Sequence, residues 1–305
     1  MEGLSPHGFH PLPSHALVRV QGPDAPSFLH GQLTHGVTGL ASDQAAPAAY
    51  CTAQGRLLAN GVLWRAQDDQ FVWMVSRDLA ADLIKRLRMF VLRARVTLDL
   101  DDAWRPQGAV GTDIVPEALH ALPAWTRASI KGADWIVAPM SRPGQPAAWR
   151  LAGDSADVLA ADGEPAWAAL RLAGGWPLIR AAARDLFLPV SLDMDLNGTI
   201  DFAKGCYPGQ EVIARSHYRG TVKRRMAYGA ARWESGASAS PLASDLYAAG
   251  GEAGRPVGRI IESAVHQGWL HLAAEITLTD WPTMRYAVGA PEGVMLDMRP
   301  PVGAA

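Results

Sequence analysis

Apolar positions recur with two different periods along the first hundred residues. Short alternating runs, separated by turn signals rich in Gly and Asp, predict strands at 16–20, 48–53, 56–66, 70–76 and 95–100. Residues 77–91 instead carry apolar side chains at a spacing of 3.6, with Ser76 as a candidate N-cap, which predicts an amphipathic helix. A shorter helix is predicted from Asp24, its candidate cap, to Leu33. This succession indicates an antiparallel sheet covered on one face by helices.

The pattern changes along the rest of the chain. The middle predicts strands at 107–112, 135–139 and 148–152 and helices at 157–161 and 165–172. After Gly220, alternating runs separated by Gly, Ser and Pro predict strands at 221–231, 257–264, 269–274 and 294–298. Such a series is typical of a small antiparallel β-barrel. We therefore predict two domains, an α+β region over 1–225 and a β-barrel over 226–305.

The composition excludes several classes of protein. With 305 residues, of which 49% are hydrophobic, the chain can bury a sizeable core and is long enough for two or three domains. A net charge of −2 gives no reason to expect direct binding of nucleic acid. The chain has neither a recognisable targeting segment nor the ~18–20 uninterrupted apolar residues of a membrane span. We therefore expect a cytoplasmic protein without a membrane partner.

Side chains that bind metals are few. The two cysteines, Cys51 and Cys206, exclude a disulfide framework and are too few for a thiolate zinc or iron–sulfur site within one chain. His30 and His35 are five residues apart, so they do not share a helix face, and no carboxylate completes a ligand set with them. We predict no dedicated metal site.

The segment 201–215 carries the most informative chemistry. Pro208 suits the first turn of a helix that Gly220 would end, so Cys206 would lie just before a helix N-terminus and beside Lys204. Both neighbours favour the thiolate form of Cys206 and hence a reactive thiol. The competing interpretation is a tight loop with a buried, inert cysteine. Cys51, in the middle of a predicted strand, is expected to be such a buried cysteine.

This segment also identifies a family. Residues 204–211, K-G-C-Y-P-G-Q-E, followed by Arg215, resemble the signature of the YgfZ-type folate-binding proteins, which are related to the glycine-cleavage T-protein. The resemblance extends to residues 28–34 (F-L-H-G-Q-L-T), 49–56 and 257–260, and it is weakest over 105–165. It implies an α+β fold with two ferredoxin-like layers that form the folate-binding part, followed by a small C-terminal antiparallel β-barrel.

The resemblance further implies a function. The cofactor would be tetrahydrofolate or a derivative of it, and the role would be the maturation or repair of iron–sulfur proteins, with effects on tRNA modification. Iron–sulfur client enzymes would be the protein partners of a monomer, and Cys206 would be the reactive group. A folate site needs a flat slot, a few aimed polar groups and cations for the glutamate tail. Candidates for the slot are Tyr207, Trp176 and Phe202. The residues expected to bind the cofactor are Asp193, Lys204, Tyr207, Gln210, Glu211, Arg215 and Arg225.

Two departures from the family pattern bear on catalysis. In the T-protein, the strand after the early glycine turn carries an essential aspartate, and the corresponding positions here are Ala59 and Asn60. An amide cannot take a proton as a carboxylate does, so we expect folate binding without that chemistry. Val190 and Asp193 stand where the family has a polar residue and an asparagine. The alternative is a folate-dependent aminomethyl or one-carbon transferase that uses Asp193 or Glu211 as its base.

Overall fold

The structure is a computed structural model that describes residues 4, 6–153, 163–220, 222–233, 241–242, 244–252, 254–281 and 283–299. Its α-helices are α1 (Ala25–Gln32), α2 (Arg77–Arg88), α3 (Gly163–Ala173) and α4 (Gln210–Tyr218). Its strands are β1 (Gly8–Pro11), β2 (His15–Gln21), β3 (Ala45–Cys51), β4 (Leu57–Gln67), β5 (Gln70–Ser76), β6 (Thr97–Asp101), β7 (Arg105–Val110), β8 (Arg127–Ile130), β9 (Ala133–Val137), β10 (Ala147–Ala152), β11 (Arg224–Arg232), β12 (Asp245–Ala248), β13 (Pro256–His266), β14 (Trp269–Thr277), β15 (Tyr286–Val288), β16 (Val294–Met295) and β17 (Asp297–Met298). Short 3-10 turns lie at 117–119, 181–183 and 189–192.

The first sheet has the strand order β3-β4-β5-β2-β6, and all its pairs are antiparallel. Alternation along its strands decides which core each side chain joins. Val18 and Trp73 pack with helices α1 and α2, whereas Leu17 and Met74 point to the opposite face and join a second core. Both faces of this sheet are therefore buried.

The second sheet has the order β1-β7-β10-β9-β8, again with antiparallel pairs. One of its faces, through Val110 and Trp149, shares the core formed by the inner face of the first sheet. Its outer face packs Trp135 and Ala148 into a smaller core of its own. Helix α3 contributes Trp167 to the shared core, so the two sheets and α3 enclose the centre of the molecule.

The seven remaining strands form a nearly closed antiparallel barrel in the order β16-β15-β12-β13-β14-β11-β17. Its interior is filled by apolar side chains such as Leu246, Leu272 and Tyr286. The predicted fold class, α+β with two layers and a C-terminal antiparallel barrel, is confirmed. The first barrel strand begins at Arg224, and the division that we predicted between residues 225 and 226 falls within this strand. The assignment of domains stays a prediction.

Several predicted details of the helices differ from the structure. Asp24 and Ser76 stand at N-cap positions, but neither side chain makes a capping hydrogen bond. Asp24 accepts from the backbone N–H of Arg95 at 2.8 Å, and the hydroxyl of Ser76 donates to Asp78 at 2.5 Å. For Asp24 a tertiary partner has replaced the local one, whereas Ser76 keeps a local partner that is not a backbone N–H. The helix predicted at 157–161 lies outside the described residues.

Strands β1, β8, β12 and β15 were not predicted, because each has three or four residues and no room for a clear alternation. Among the helices of the described residues, none is long and apolar enough to cross a membrane.

Candidate functional site

A narrow cavity lies between the inner faces of the two sheets. About 40 Å³ of it is wide enough to admit a water molecule, within about 530 Å³ of unfilled space that includes open solvent at its mouth. The first sheet contributes residues from β2, β3, β4 and β5, the second contributes Trp149, and the connections after α3 close the remaining side. The residues that line it are His15, Pro47, Ala48, Asn60, Gly61, Val62, Met74, Trp125, Trp149, Arg171, Trp176, Pro177, Leu178, Leu192, Met194, Asn197 and Thr199.

One wall of the cavity is aromatic. The rings of Trp125 and Trp149 are nearly parallel, with centroids 5.7 Å apart and an interplanar angle of 19°. The ring of Trp176 meets Trp125 edge-on, with centroids 5.0 Å apart. Trp176 was one of the three residues that we expected to form a flat slot. Large aromatic faces with few polar groups are the usual lining of a site for a flat heteroaromatic ligand.

Two hydrogen-bond donors of the residues that line the cavity have no acceptor among the described residues. Trp149 Nε1 and Arg171 Nε are buried N–H donors for which no described residue supplies an acceptor. A buried donor without an acceptor costs about 1–3 kcal/mol, so such atoms are rare in folded proteins. Both belong to residues of the cavity wall, which fits a ligand that carries hydrogen-bond acceptors.

Residues 177–179, of which Pro177 and Leu178 line the cavity, are fixed from two sides. From the first sheet, the amide of Asn60 donates to the carbonyl of Pro177 and accepts from the N–H of Ile179, both at 2.8 Å. From the barrel, Glu262 accepts the backbone N–H of Leu178 at 2.6 Å.

Glu262 also forms a buried, two-pronged ion pair with Arg171, with N–O distances of 2.9 and 2.5 Å. Such a pair is fully desolvated, and it ties helix α3 to strand β13. All three parts of the fold therefore determine the shape of the cavity.

Lys204 of the signature is a structural residue in this arrangement. Its ammonium donates to the carbonyls of His30, Leu33 and Gly205 at 2.6, 3.0 and 3.2 Å, and it lies 4.6 Å from the ring centre of Tyr207. Two of these carbonyls belong to the C-terminal end of helix α1, where a cation is favourable. Burial lowers the pKa of Lys204 to about 8, although Asp201 and Cys206 act to raise it.

Tyr207 and Gly209 also serve the packing of the signature. The ring of Tyr207 belongs to the main core, and burial raises the pKa of its hydroxyl, which has no partner among the described residues. Gly209 has φ +83°, and a Cβ at this position would lie 2.5 Å from the carbonyl oxygen of Thr52. The signature loop therefore packs directly on the turn between β3 and β4, which contains Gly55.

The remaining signature residues face solvent. Helix α4 begins at Gln210 rather than at Pro208, so Cys206 lies four residues before it, on the exposed loop. The sequence had predicted a cysteine just before the helix N-terminus, with Pro208 in the first turn. Gln210 is half-buried. Glu211 and Arg215 are exposed and form an i,i+4 ion pair with each other at 2.9 Å.

Asp193 and Arg225 belong to a separate buried charge cluster. Arg225 donates to both oxygens of Asp195 at 2.6 and 3.1 Å, to Asp193 at 3.3 Å and to the carbonyl of Val190 at 2.7 Å. His217 of α4 completes the cluster through Asp195 at 3.0 Å. Burial, with help from Asp195, raises the pKa of Asp193 to about 7 against the opposing effect of Arg225.

None of the eight residues nominated as the reactive thiol or as cofactor-binding lines the cavity, although the slot candidate Trp176 does, and the structure does not bring the eight into one cleft. Lys204, Tyr207, Asp193 and Arg225 are buried with protein partners, whereas Cys206, Glu211 and Arg215 are exposed. Phe202, a candidate for the slot, stacks on His217 instead, with ring centres 4.3 Å apart. Among the described residues there is no group of three metal-binding side chains.

The cavity residues that sequence reasoning missed include His15, Trp125, Trp149, Arg171, Asn197 and Thr199. The abundance of tryptophan, 11 in 305 residues, was the one available signal for an aromatic site. Trp125 and Trp149 lie in the part of the chain where the family resemblance was weakest. His15 acquires its partner from a helix almost 150 residues away, which no local pattern reveals.

Comparisons with known proteins agree with the fold. No protein-family model matches the chain. The tRNA-modifying protein YgfZ of Shigella sonnei (strain Ss046) is 31% identical over 266 residues, covering 81% of this chain and 78% of that protein, and the YgfZ of Escherichia coli (strain K12) gives the same figures. The crystal structure of the glycine cleavage system aminomethyltransferase T from Bartonella henselae aligns with a TM-score of 0.70 over 99% of this chain and 87% of that chain. Its identity is 13%, so this likeness concerns the fold alone.

Proposed function

We propose that this protein, which belongs to the YgfZ family of tRNA-modifying proteins, binds tetrahydrofolate or a derivative in its central cavity and supports tRNA modification without transferring the one-carbon unit itself. The observation that carries the proposal is the cavity, with three tryptophans in its wall and two buried N–H donors for which no described residue is an acceptor. A pterin is flat and presents ring nitrogens and a carbonyl as acceptors, so it matches both features.

The surroundings of Asn60 argue against transferase chemistry. A group that takes or gives a proton must have a free site directed at the substrate. Both ends of the Asn60 amide are occupied by the backbone of residues 177–179, and Ala59 has no polar atom to offer. Residue 60 thus acts as a clamp on the cavity wall.

The alternative, a folate-dependent aminomethyl or one-carbon transferase, needs another base. Glu211 is exposed and paired with Arg215, and Asp193 is buried in the charge cluster of Arg225. Neither lines the cavity, so neither is positioned to contact a ligand there. The binding function is therefore the better supported of the two.

Cys206 is the second functional element of the proposal. It is exposed on a loop that Lys204, Tyr207 and Gly209 hold firmly in place, whereas Cys51 is buried in the core. We propose that the thiol of Cys206 acts on iron–sulfur client proteins in the cytoplasm, by thiol exchange or transient ligation. In this proposal, the packing of Lys204, Tyr207 and Gly209 serves to present this one thiol.

Calorimetric titration with tetrahydrofolate tests the binding site. Trp176→Leu, a half-buried wall residue, is expected to weaken binding about five- to tenfold because it removes an aromatic contact. Arg215→Ala, on the exposed face of α4, should leave the affinity unchanged. The reverse outcome, loss in Arg215→Ala alone, would move the folate site to the signature surface. Formation of methylenetetrahydrofolate from an aminomethyl donor by the wild type would establish the transferase instead.

A second experiment tests the cellular role. In a bacterial strain that lacks its own copy, the wild-type protein should restore tRNA modifications that depend on iron–sulfur enzymes, measured by mass spectrometry of the nucleosides. Cys206→Ala should stay folded and fail to restore them. Full rescue by Cys206→Ala would remove the thiol from the proposal while leaving folate binding intact.

A further inference from the structure

His15 is the one histidine among the residues that line the central cavity. It is the first residue of β2, pairs with Ser76 in the sheet and is only 4% exposed. Its Nδ1 lies 3.1 Å from Oε1 of Glu164, in the first turn of α3. No described residue forms a hydrogen bond with the other ring nitrogen, Nε2.

Glu164 is itself held in place. Its Oε1 accepts the hydroxyl of Ser14, and its Oε2 accepts the backbone N–H of the same serine at 3.2 Å. Burial acts to raise the pKa of Glu164, but the hydrogen bonds from His15 and Ser14 outweigh it, so the pKa is lowered and the group is a carboxylate at neutral pH. A carboxylate accepts and cannot donate, so the proton of a neutral His15 must sit on Nδ1.

The charges around His15 favour the neutral ring. Burial lowers its pKa, and the guanidinium of Arg171 acts in the same direction. Glu164 and, from the barrel strand β13, Glu262 oppose this without reversing it. A neutral imidazole with its proton on Nδ1 presents a lone pair at Nε2, which is a hydrogen-bond acceptor and a base.

We infer that His15, oriented by Glu164, is a ligand-binding residue of the central cavity that accepts a hydrogen bond from an N–H donor of the bound molecule. The inference rests on the proposed folate site and adds to it. The N–H groups of Trp149 and Arg171, which have no acceptor among the described residues, would donate to acceptor atoms of the ligand. Nε2 of His15 would accept from an N–H group of the ligand. A pterin carries both kinds of group along one edge. Glu164 is the positioning residue, since it reaches the ligand only through the imidazole.

The test compares tetrahydrofolate affinity across pH in the full-length protein and three variants. His15→Phe removes the acceptor and is expected to weaken binding about tenfold or more at neutral pH. The difference from the wild type should close at acid pH, because a protonated His15 no longer accepts. Glu164→Gln should show a smaller loss. His271→Phe is the matched control, since His271 is equally buried but bonds Tyr228 in the barrel, and its pH profile should follow the wild type.

A second readout covers the case in which His15→Phe fails to fold. In ¹⁵N-histidine NMR spectra of the wild type, the Nε2 resonance of His15 should be that of an unprotonated nitrogen and should shift when tetrahydrofolate is added. Equal affinity and equal pH profiles in wild type and His15→Phe, or an Nε2 signal unmoved by ligand, would overturn the inference alone. Failure of the wild type to bind tetrahydrofolate would overturn the proposed function and this inference with it.

Discussion

Asn60 Nδ2 donates a hydrogen bond of 2.8 Å to the carbonyl oxygen of Pro177. The same amide accepts from Ile179, so one side chain holds two residues, on either side of Leu178 in the cavity wall. An aspartate could accept from Ile179 but could not donate to Pro177. The backbone of residues 177–179 therefore requires an amide, and not a carboxylate, at position 60.

Asn60→Asp is therefore expected to destabilise the protein by about 1–3 kcal/mol at neutral pH, since it sets a carboxylate against a buried carbonyl. The free energy of unfolding from denaturant titration measures this. Asn197→Asp is the matched control: Oδ1 of Asn197 accepts from Thr199, and no described residue accepts from its Nδ2. Equal losses of unfolding free energy in the two variants would contradict the role of Asn60 in holding the backbone of residues 177–179.

Alanine substitutions at Gly209 and Gly198 distinguish the cost of backbone strain from the cost of a steric clash. Both have positive φ, +83° and +84°, but a Cβ at Gly209 would lie 2.5 Å from Thr52, whereas Gly198 faces open space. Gly198→Ala should cost about 1 kcal/mol for the left-handed conformation alone. Gly209→Ala should cost about 1–3 kcal/mol more, because the signature loop must move off the β3–β4 turn. Similar melting temperatures for the two variants would show that this contact is loose.

The charge cluster around Arg225 predicts opposite effects for its two aspartates. The pKa of Asp193 is raised to about 7, so between about pH 4 and 7 the folded state binds more protons than the unfolded state. Stability due to Asp193 is thus present at low pH and is lost as the pH rises through 7. Asp193→Asn should remove this decline and match or exceed the wild type at pH 8, as measured by denaturant unfolding at pH 5 and pH 8.

Asp195→Asn provides the contrast. The side chain of Asp195 is fully buried and holds Arg225 with both oxygens while accepting from His217. Removal of its charge leaves a buried guanidinium without its main partner, at an expected cost of about 3–5 kcal/mol. If Asp193→Asn proved as damaging at pH 8 as Asp195→Asn, the assignment of roles within the cluster would be wrong.

The two cysteines should differ sharply in reactivity. Cys206 is exposed, whereas Cys51 is buried and its pKa is raised by that burial. A thiol reagent should modify one cysteine per chain in the native protein and both in denaturant. Mass spectrometry after alkylation identifies the residue, and Cys206→Ala should abolish the native reaction. Modification of Cys51 at a similar rate would indicate that the first sheet opens readily.

Much of the fold was predictable because its signals are local. Alternation in β2, β4 and β5 and the single apolar face of α2 are read from consecutive residues, and the structure places all four close to the predicted limits. The short strands β1 and β12 were missed since four residues carry too little pattern. Helix α4 begins at Gln210 because Gly209 adopts a left-handed conformation against the β3–β4 turn. That contact spans more than 150 residues of sequence.

By itself, the sequence determined the family, the layered α+β architecture with its barrel, and the signature that contains Cys206. It could not determine what each signature residue does, because a motif shows which side chains occur together and not which way they point. Only the tertiary structure decided that Lys204 and Tyr207 point inward to hold the loop while Cys206 points outward. The cavity likewise exists only between two sheets, and its wall residue His15 meets the distant Glu164 through folding alone.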